Sequence, residues 1–335
     1  MIKKTFFYFL LFFITIFSII LLIEILLRFS DKDPWGYFRV DLKEPTTNSY
    51  HDILGWEPKP GVYKFKAYSN LVKDDFTMTI IEDGIRYSGK YEKNYNKTIA
   101  TFGGSFTQGV AVDDEDNFPY FLQEKLRKKF IRVENYGVGG YGTYQSLLKL
   151  EQIFSKRKFD LVIYSFLSHH EYRNIGDEYW LKWLTKFTKR GHLYLPYVLQ
   201  NRKGDLVRKK PISYIKLPFR EKLVIINKIE KRIMKLKFYS PYKDRKIITQ
   251  KLILEMKDLS KKNNSKFLLV NLSNDNNIVQ NYKSFLNKEK INYLNCAIDL
   301  DSTMIVKNEQ HPNRKAHKIF SNCILNFIKK NNLLN

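Results

Sequence analysis

The fold of this chain is decided by the stretch IATFGGSFTQG at positions 99–109. Its first four residues form a short apolar run, and the two glycines that follow allow a tight turn into a helical pattern. A serine between a short strand and a helix is where α/β folds place an exposed nucleophile. Ser105 is therefore the candidate nucleophile, and His311, close to the C-terminus, can supply the base. Together they indicate a serine hydrolase or acyltransferase, although Ser is also a favoured helix N-cap.

From residue 98 onward, short apolar runs alternate with helical patterns. The predicted strands are 99–102, 131–135, 161–166, 267–271 and 293–296. The predicted helices are 118–129, 143–156, 245–262, 276–288 and 314–330. This alternation predicts a parallel sheet with helices on both faces. Function in such sheets gathers at the carboxyl ends of the strands, and Ser105, Gly140 and His169 each closely follow one of them.

Two segments do not show this alternation of strands and helices. Residues 30–97 are irregular and aromatic-rich, with a predicted strand at 76–81, and form a lead-in to the domain at 98–335. Residues 172–241 are an insertion that is rich in basic residues and holds a predicted hairpin around 201–205. The insertion either caps the site and shapes a substrate groove or is a surface elaboration with a solvated basic face.

The N-terminal segment 1–29 is predicted to be a membrane anchor. Residues 6–23 are an almost unbroken apolar run, which is long enough to span a hydrocarbon core. No small-residue cleavage pattern follows, so we expect a retained anchor rather than a removed signal peptide. Two lysines precede the run, and Arg28 and Lys32 partly offset their positive-inside signal. We expect a single-pass protein held through residues 6–27, with its body facing the periplasm or the cell exterior.

The net charge of +24 raises the question of nucleic acid. The lysines are scattered beside Asn and Ile, which is typical of an AT-rich genome, and no nucleic-acid motif is present, so no nucleic-acid partner is expected. Attraction to anionic lipid or to an acidic glycan stays open.

The chain has two cysteines. Cys296 and Cys323 could pair in an oxidising compartment, but we expect two buried free thiols. No Cys/His spacing indicates a metal site.

Three motifs resemble blocks of the SGNH (GDSL-type) hydrolase superfamily. GGSFTQG at 103–109 is similar to the first block, in which a Gly-Asp-Ser triplet is usual, and NYGVGGYGT at 135–143 is similar to the second. HPN at 311–313, followed by Ala316 and His317, is similar to the last. The resemblance covers residues 98–331. It implies a three-layer α/β/α sandwich with a flavodoxin-like parallel sheet of about five strands, preceded by the transmembrane helix.

The resemblance also implies roles for individual residues. Ser105 attacks an ester carbonyl, and His311 acts as base and then as acid. The backbone N–H groups of Gly140 and Ser105 form an oxyanion hole. No cofactor is needed. The expected substrate is an ester-linked acyl group, with acetyl on a cell-envelope glycan as the first choice. Water as acceptor gives an esterase and a sugar hydroxyl gives an acyltransferase.

The sequence departs from the superfamily pattern at two places. The acid that usually stands three residues before the histidine is Asn308 here, and Glu309 is the nearest carboxylate that could replace it. His169 stands where the third block carries an asparagine that completes the oxyanion hole. An imidazole N–H can donate there. Alternatively, the cluster of His169, His170 and Glu171, with Arg173, holds a substrate carboxylate or forms a structural polar network.

These departures keep a second function class open. A catalytically silent domain of the same fold, binding glycan or scaffolding an envelope assembly, would tolerate the missing acid and the altered third block. A nucleotide-binding function has weaker support. GVGGYG at 137–142 matches Gly-x-Gly-x-x-Gly, but it follows the second strand, and Asp160 precedes the next strand where a ribose-binding acid should follow one.

Overall fold

The computed structural model describes residues 2–30, 33–35, 47–65, 75–186, 193–238, 240–272, 276–307 and 309–334. Asn308 lies outside the described residues. By their contacts, the residues divide into two compact units. One unit is Met1–Tyr37 with Tyr214–Tyr239, and the other is Phe38–Ser213 with Ser240–Asn335.

The strands and helices alternate through the larger unit as the sequence predicts. The strands are β1 Asn48–His51, β2 Gly55–Pro58, β3 Gly61–Phe65, β4 Phe76–Ile80, β5 Lys97–Gly103, β6 Ile131–Asn135, β7 Leu161–Phe166, β8 Leu195–Gln200, β9 Leu206–Ile212, β10 Lys266–Asn271 and β11 Asn292–Asn295. The helices are α1 Ile2–Phe29, α2 Ser105–Gln108, α3 Phe118–Leu126, α4 Thr143–Phe154, α5 His170–Asn174, α6 Glu178–Leu184, α7 Val224–Lys237, α8 Arg245–Lys262, α9 Asn276–Lys288 and α10 Arg314–Lys330.

Among the described residues, five strands form the central sheet in the order β11-β10-β7-β5-β6, and all are parallel. In chain order this is the flavodoxin-like arrangement, in which the second strand lies on one side of the first and the later strands lie on the other. The predicted fold class is confirmed. The direction of winding reverses between β5 and β7, and ligands bind at such a switch point. Ser105 lies two residues after the end of β5, and His169 lies three residues after the end of β7.

Both faces of the sheet are covered. On one face, α3 and α10 pack against Ile99, Val133 and Ile163. On the other face, α4 contacts β5 and α8 contacts β10. All six residues of β7 are buried, as expected for a central strand between two helical layers. The predicted three-layer α/β/α sandwich is therefore observed.

The lead-in forms two hairpins and is tied to the start of the central sheet. β1 pairs with β2 and β3 pairs with β4, both antiparallel. Arg86, which follows β4 within the lead-in, is fully buried and forms an ion pair with Asp114 at 3.1 Å. Its guanidinium also donates to the carbonyls of Gly109 and Val112 at 3.1 and 2.9 Å. Arg86 thereby fixes the turn that ends the 103–109 motif.

The smaller unit joins the end of α1 to α7. Residues Lys4–Phe29 are long and apolar enough to cross a membrane. In the last turns of this helix, the Glu24 carboxylate accepts hydrogen bonds from the N–H groups of Val224 and Ile225, both at 2.9 Å. Arg28 donates to Glu24 at 2.8 Å and to the Lys222 carbonyl at 2.7 Å. A carboxylate at a helix N-terminus satisfies free N–H groups and interacts favourably with the helix dipole.

The expectation of two free thiols is wrong. Cys296 and Cys323 form a disulfide, with their Cα atoms 5.9 Å apart. Cys296 follows β11, and the residues of α10 that pack on the same face bring Cys323 to it. The separation of the Cα atoms falls within the range that a disulfide requires. Sequence alone could not show this, because the pairing depends on which face of α10 meets the sheet.

We predict that removing this disulfide lowers stability without changing the fold. The bond closes a loop across a sequence separation of 27 residues, and a loop of that size is worth about 2–4 kcal/mol. Cys296→Ala combined with Cys323→Ala should lower the free energy of unfolding by this amount, measured by urea titration of the full chain in detergent. Reductant should destabilise the parent chain and leave the double variant unchanged. Equal urea midpoints for the parent and the double variant would contradict the prediction.

Candidate active site

Ser105 lies at the carboxyl edge of the central sheet. β5 ends at Gly103, and Ser105 is the first residue of α2, so its N–H has no acceptor within the helix. The N-cap position is Gly104, which rules out the N-cap role for the Ser105 side chain. The residue is 8% exposed. Ser105 is therefore almost buried and does not lie on an open surface.

Hydrogen bonds join the loop after β6 to the segment that carries Ser105. They run from the Val138 N–H to the Gly103 carbonyl (3.0 Å), from the Asn135 side-chain amide to the Thr107 carbonyl (2.9 Å), and from the Gly139 N–H to Gln108 Oε1 (2.8 Å). The first and second motifs of the sequence therefore meet in one place. The loop at 137–141 is fixed beside Ser105.

Gly140 occupies a position that suits glycine alone. Its φ is +87°, and a Cβ there would lie 2.9 Å from Cζ2 of the Trp56 ring. The Trp56 indole N–H donates to the Gly139 carbonyl at 3.3 Å, and the Tyr141 hydroxyl donates to the Trp56 carbonyl at 2.5 Å. Trp56 is 1% exposed. Trp56, in β2 of the lead-in, thus packs against the loop and supports it.

His311 is held by the carboxylate that the sequence singled out. Its Nδ1 lies 2.7 Å from Glu309 Oε1. Its main chain is fixed too, because the Val306 N–H donates to the His311 carbonyl at 2.9 Å. Asn313 then caps α10 by accepting hydrogen bonds from the first N–H groups of that helix. With Nδ1 directed to Glu309, Nε2 is the nitrogen left for a substrate or a nucleophile.

The structure brings His311 to the Ser105 segment without a direct bond between the two side chains. The ring of Phe106, next in the chain to Ser105, lies 5.9 Å from the His311 ring. Among the described residues, no hydrogen bond joins the Ser105 hydroxyl to the imidazole. Catalytic hydrogen bonds are often long in free enzymes and tighten when substrate binds.

His317, unlike His311, is structural: it is fully buried, and its Nδ1 accepts from the Phe118 N–H at 3.3 Å.

His169 lies at the start of α5, at the end of β7, where the third block was expected. Burial lowers the pKa of its imidazole well below the usual value, and the charges of Arg173 and His311 lower it further. The side chain is therefore neutral near pH 7. Within the described part of the chain, its Nε2 has no hydrogen-bond partner although it is buried. An unpaired buried ring nitrogen at this point is suited to a ligand.

His170 belongs to a buried polar network instead. Its Nδ1 is hydrogen-bonded to the Tyr164 hydroxyl at 2.8 Å, which is hydrogen-bonded in turn to the Thr143 hydroxyl at 2.8 Å. Asn174 completes the network: its amide donates to Thr143, and its Oδ1 accepts from the Tyr144 N–H at 2.9 Å. The network ties α5 to the start of α4. Burial and the nearby Arg173 lower the pKa of His170, so the ring stays uncharged.

Arg173 and Trp180 also line the site; the sequence offered Arg173 either as part of a carboxylate-binding cluster or as structural, and gave Trp180 no role. The Arg173 guanidinium donates to the Tyr141 carbonyl at 2.8 Å and lies 4.2 Å from the centre of the Trp180 ring. A Cβ at Gly104 would be 3.1 Å from its Nη1. Burial lowers its pKa to about 9, so it remains charged at neutral pH. No carboxylate among the described residues forms an ion pair with it, which leaves a buried positive charge beside Gly104.

Glu171 faces away from this cluster. Its carboxylate accepts from the Tyr282 hydroxyl at 2.8 Å and pairs with Arg245 at 3.2 Å. It therefore anchors α5 to the helices behind it. Across the residues that the structure describes, no group of three or more His, Cys, Asp or Glu side chains is arranged to hold a metal ion.

Comparisons with known proteins find structural likeness only. No family model matches the chain, and no curated protein matches it. Among solved structures, the esterase EstA from Pseudoalteromonas sp. is 13% identical, with 70% of this chain and 98% of that chain covered and a TM-score of 0.42. An acetyl xylan esterase, Axe2 from Geobacillus stearothermophilus, is 13% identical, with 70% and 95% covered and a TM-score of 0.40.

A third match is described as a GDSL-like lipase, from Bacteroides thetaiotaomicron. It is 12% identical, with 70% of this chain and 88% of that chain covered and a TM-score of 0.39. This is the class of protein that the sequence motifs resemble. At these identities the likeness is one of fold, and the chemistry of this chain is argued from its own site.

We predict that Gly140→Ala impairs the site more than it impairs folding. The new methyl group would meet the buried Trp56 ring at 2.9 Å and displace the loop. Loss of one oxyanion donor costs about 100-fold to 1,000-fold in rate. The measurement is the rate of Ser105 labelling by a fluorophosphonate probe, with the thermal midpoint recorded alongside.

Gly204→Ala is the matched control. Gly204 also has a positive φ, of +91°, but its Cβ would meet only the ends of two flexible side chains in the β8–β9 turn. Both variants carry similar backbone strain, so only Gly140→Ala should slow labelling. Equal labelling rates in the two variants would contradict the role given to the 137–141 loop.

Proposed function

We propose that this chain is a membrane-anchored serine esterase or O-acyltransferase of the SGNH type. The observation that carries the proposal is the His311–Glu309 hydrogen bond of 2.7 Å. It lies at the strand-end edge where Ser105 begins α2. A carboxylate on Nδ1 orients the imidazole and stabilises the imidazolium that forms when the ring takes a proton.

The proposed reaction starts at Ser105. Its Oγ attacks the ester carbonyl while its proton passes to His311 Nε2. The tetrahedral oxyanion accepts hydrogen bonds from the Ser105 and Gly140 N–H groups and from His169 Nε2–H, with the charge of Arg173 close by. The leaving alcohol takes the proton from His311, which leaves an acyl-enzyme. Water or a sugar hydroxyl, deprotonated by His311, then attacks the acyl carbon. The bond from that carbon to Ser105 Oγ breaks, His311 returns the proton to Oγ, and the carboxylic acid or the new sugar ester leaves.

A cell-envelope glycan carrying ester-linked acyl groups, with acetyl as the first choice, is the proposed substrate. The aromatic side chains of α6 support it. Trp180 is partly exposed beside Arg173, Tyr179 is 68% exposed, and Tyr179 stacks on Trp183 with ring centres 5.8 Å apart. Aromatic rings with polar edges suit the mixed polar and apolar faces of sugars. The disulfide supports a location outside the cytoplasm, because such bonds persist in oxidising compartments.

Retention of α1 as an anchor is part of the proposal. Glu24 and Arg28, in its last turns, hold the start of α7. Cleavage after a signal peptide would remove these groups and leave the α7 N-terminus uncapped. We therefore infer that α1 stays in the mature protein and that the body faces the periplasm or the cell exterior.

We predict that a fluorophosphonate probe labels Ser105 in the full-length protein in detergent. Intact mass and peptide mapping identify the labelled residue. Ser105→Ala should abolish labelling, and His311→Ala should slow it by about 1,000-fold or more, because the serine then lacks its base. Ser155→Ala, at an exposed serine just after α4, is the matched control and should label at the parent rate.

The same measurement tests the second candidate, a silent glycan-binding domain. That candidate is favoured by the absence of a Ser105–His311 hydrogen bond among the described residues. Folded protein that takes up no probe would exclude the esterase and acyltransferase proposal and leave glycan binding as the function to test.

We also predict that Glu309→Gln slows labelling while the protein stays folded. Replacing the orienting carboxylate by an amide disturbs the imidazole tautomer and removes the stabilising charge. A loss of about 100-fold to 10,000-fold is expected. Glu124→Gln, an exposed carboxylate on α3, is the control. An unchanged rate in Glu309→Gln would mean that Ser105 and His311 work as a dyad without an orienting acid.

A further inference from the structure

We propose that α7 is an interfacial helix that binds anionic lipid headgroups of the membrane that α1 crosses. The proposal rests on the proposed retention of α1 and extends beyond the ester chemistry to a second, lipid-binding surface. The surface, called the α7 basic stripe, consists of Lys228, Lys231, Arg232 and Lys235. It is argued below from the level at which α7 begins, from its charge, and from its exposed apolar flank.

The contact with α1 determines the depth, relative to the bilayer, at which α7 begins. The apolar run at 6–23 covers about 27 Å as a helix, close to the hydrocarbon thickness of about 30 Å. Glu24 is the next residue, so it falls at the edge of the hydrocarbon. Because its carboxylate binds the N–H groups of Val224 and Ile225, the first turn of α7 lies at the same level.

α7 meets α1 only near that level. Among the α1 side chains described, Glu24 alone is buried and Leu27 is half-buried, whereas the apolar residues before them are exposed. A helix running back along α1 would bury a stripe of those residues. α7 therefore does not follow α1 into the hydrocarbon, and its exposed lysines would not be stable there.

The charge of α7 is one-sided. The four residues of the basic stripe occupy positions i, i+3, i+4 and i+7, which places them on one face, and all four are exposed. The only acid in the helix sequence, Glu230, is fully buried and pairs with Arg220 at 3.1 Å. The buried acid thus neutralises a different cation and leaves the stripe positive.

An apolar flank lies beside the stripe. Ile225, Ile229 and Leu236 stand at positions i, i+4 and i+11, on one side of the helix. Leu236 is 81% exposed and Ile229 is 42% exposed. Exposed apolar residues next to a row of lysines and arginines are typical of helices that lie in the membrane interface. The apolar flank would face the acyl region, and the stripe would contact phosphate groups.

The test uses the full-length chain in nanodiscs of phosphatidylcholine alone or with 30% phosphatidylglycerol. A single environment-sensitive fluorophore is attached through Leu236→Cys, with the native disulfide left oxidised. Quenching by lipids spin-labelled near the headgroup reports contact with the bilayer. We expect quenching at least twofold stronger in the anionic discs, reduced towards the neutral level by 0.5 M salt because salt screens the attraction.

Charge reversal supplies the matched comparison. Lys228→Glu, Lys231→Glu, Arg232→Glu and Lys235→Glu together should abolish the lipid dependence. Four reversals on other helices, Lys261→Glu, Lys262→Glu, Lys329→Glu and Lys330→Glu, change the net charge equally and should leave it intact. Thermal midpoints and fluorophosphonate labelling, measured on the same samples, report folding and catalysis separately from lipid contact.

Several outcomes would overturn the proposal. Equal quenching in both discs, or quenching that survives reversal of the stripe, would exclude recognition of anionic lipid. A fluorophore shielded from aqueous iodide but not quenched by lipid would mean that a protein, or a second copy of this chain, covers α7. Intact mass showing loss of residues 1–29 would remove the anchor and this inference together, whereas an inactive but lipid-quenched protein would refute only the ester chemistry.

Discussion

The candidate site depends on the hydrogen bonds that fasten the loop at 137–141 to the end of β5. The Val138 N–H, for example, donates to the Gly103 carbonyl at 3.0 Å, inside the protein. A buried main-chain group without a partner costs about 1–3 kcal/mol, so these groups are satisfied only when the two loops lie side by side. That requirement, rather than any property of Ser105 itself, places the Ser105 and Gly140 N–H groups in one small region. Trp56 and Arg86 reinforce it from the lead-in.

The electrostatics of the site are unbalanced in the absence of substrate. Arg173 keeps its charge while buried beside Gly104, without an ion pair among the described residues, and burying such a charge is costly. On the proposed mechanism, negative charge develops next to it during the reaction, where interactions are stronger than in water. The low pKa of His169 keeps that ring neutral, so it can donate one N–H without adding a second repelling cation. On that mechanism, the site stabilises the negatively charged transition state more than it stabilises the bound, uncharged ester.

The sequence predicted most of the sheet and the parts of the site that lie close together along the chain. β6, β7 and α8–α10 begin and end where the patterns placed them, because buried parallel strands and amphipathic helices have strong local signals. Glu309 could be named because it lies two residues from His311. Contacts between distant segments had no such signal. The Cys296–Cys323 bond, Trp56 beneath Gly140 and Arg173 behind Gly104 each depend on how separate elements pack, so local periodicity could not reveal them.

One long-range contact gives the basic residues of α7 a more specific interpretation than the composition of the chain does. In the sequence, the lysines of 224–237 look like the scattered lysines elsewhere, and an AT-rich genome explains them equally well. Glu24 changes this, because it joins the edge of an apolar helix to the first turn of α7 across 200 residues. On the proposal that α1 is a retained anchor, the same charges lie at a membrane surface instead of in bulk solvent. Glu24 also makes the end of α1 part of a folded unit, which is the reason for proposing that a segment resembling a removable signal in composition is retained as an anchor.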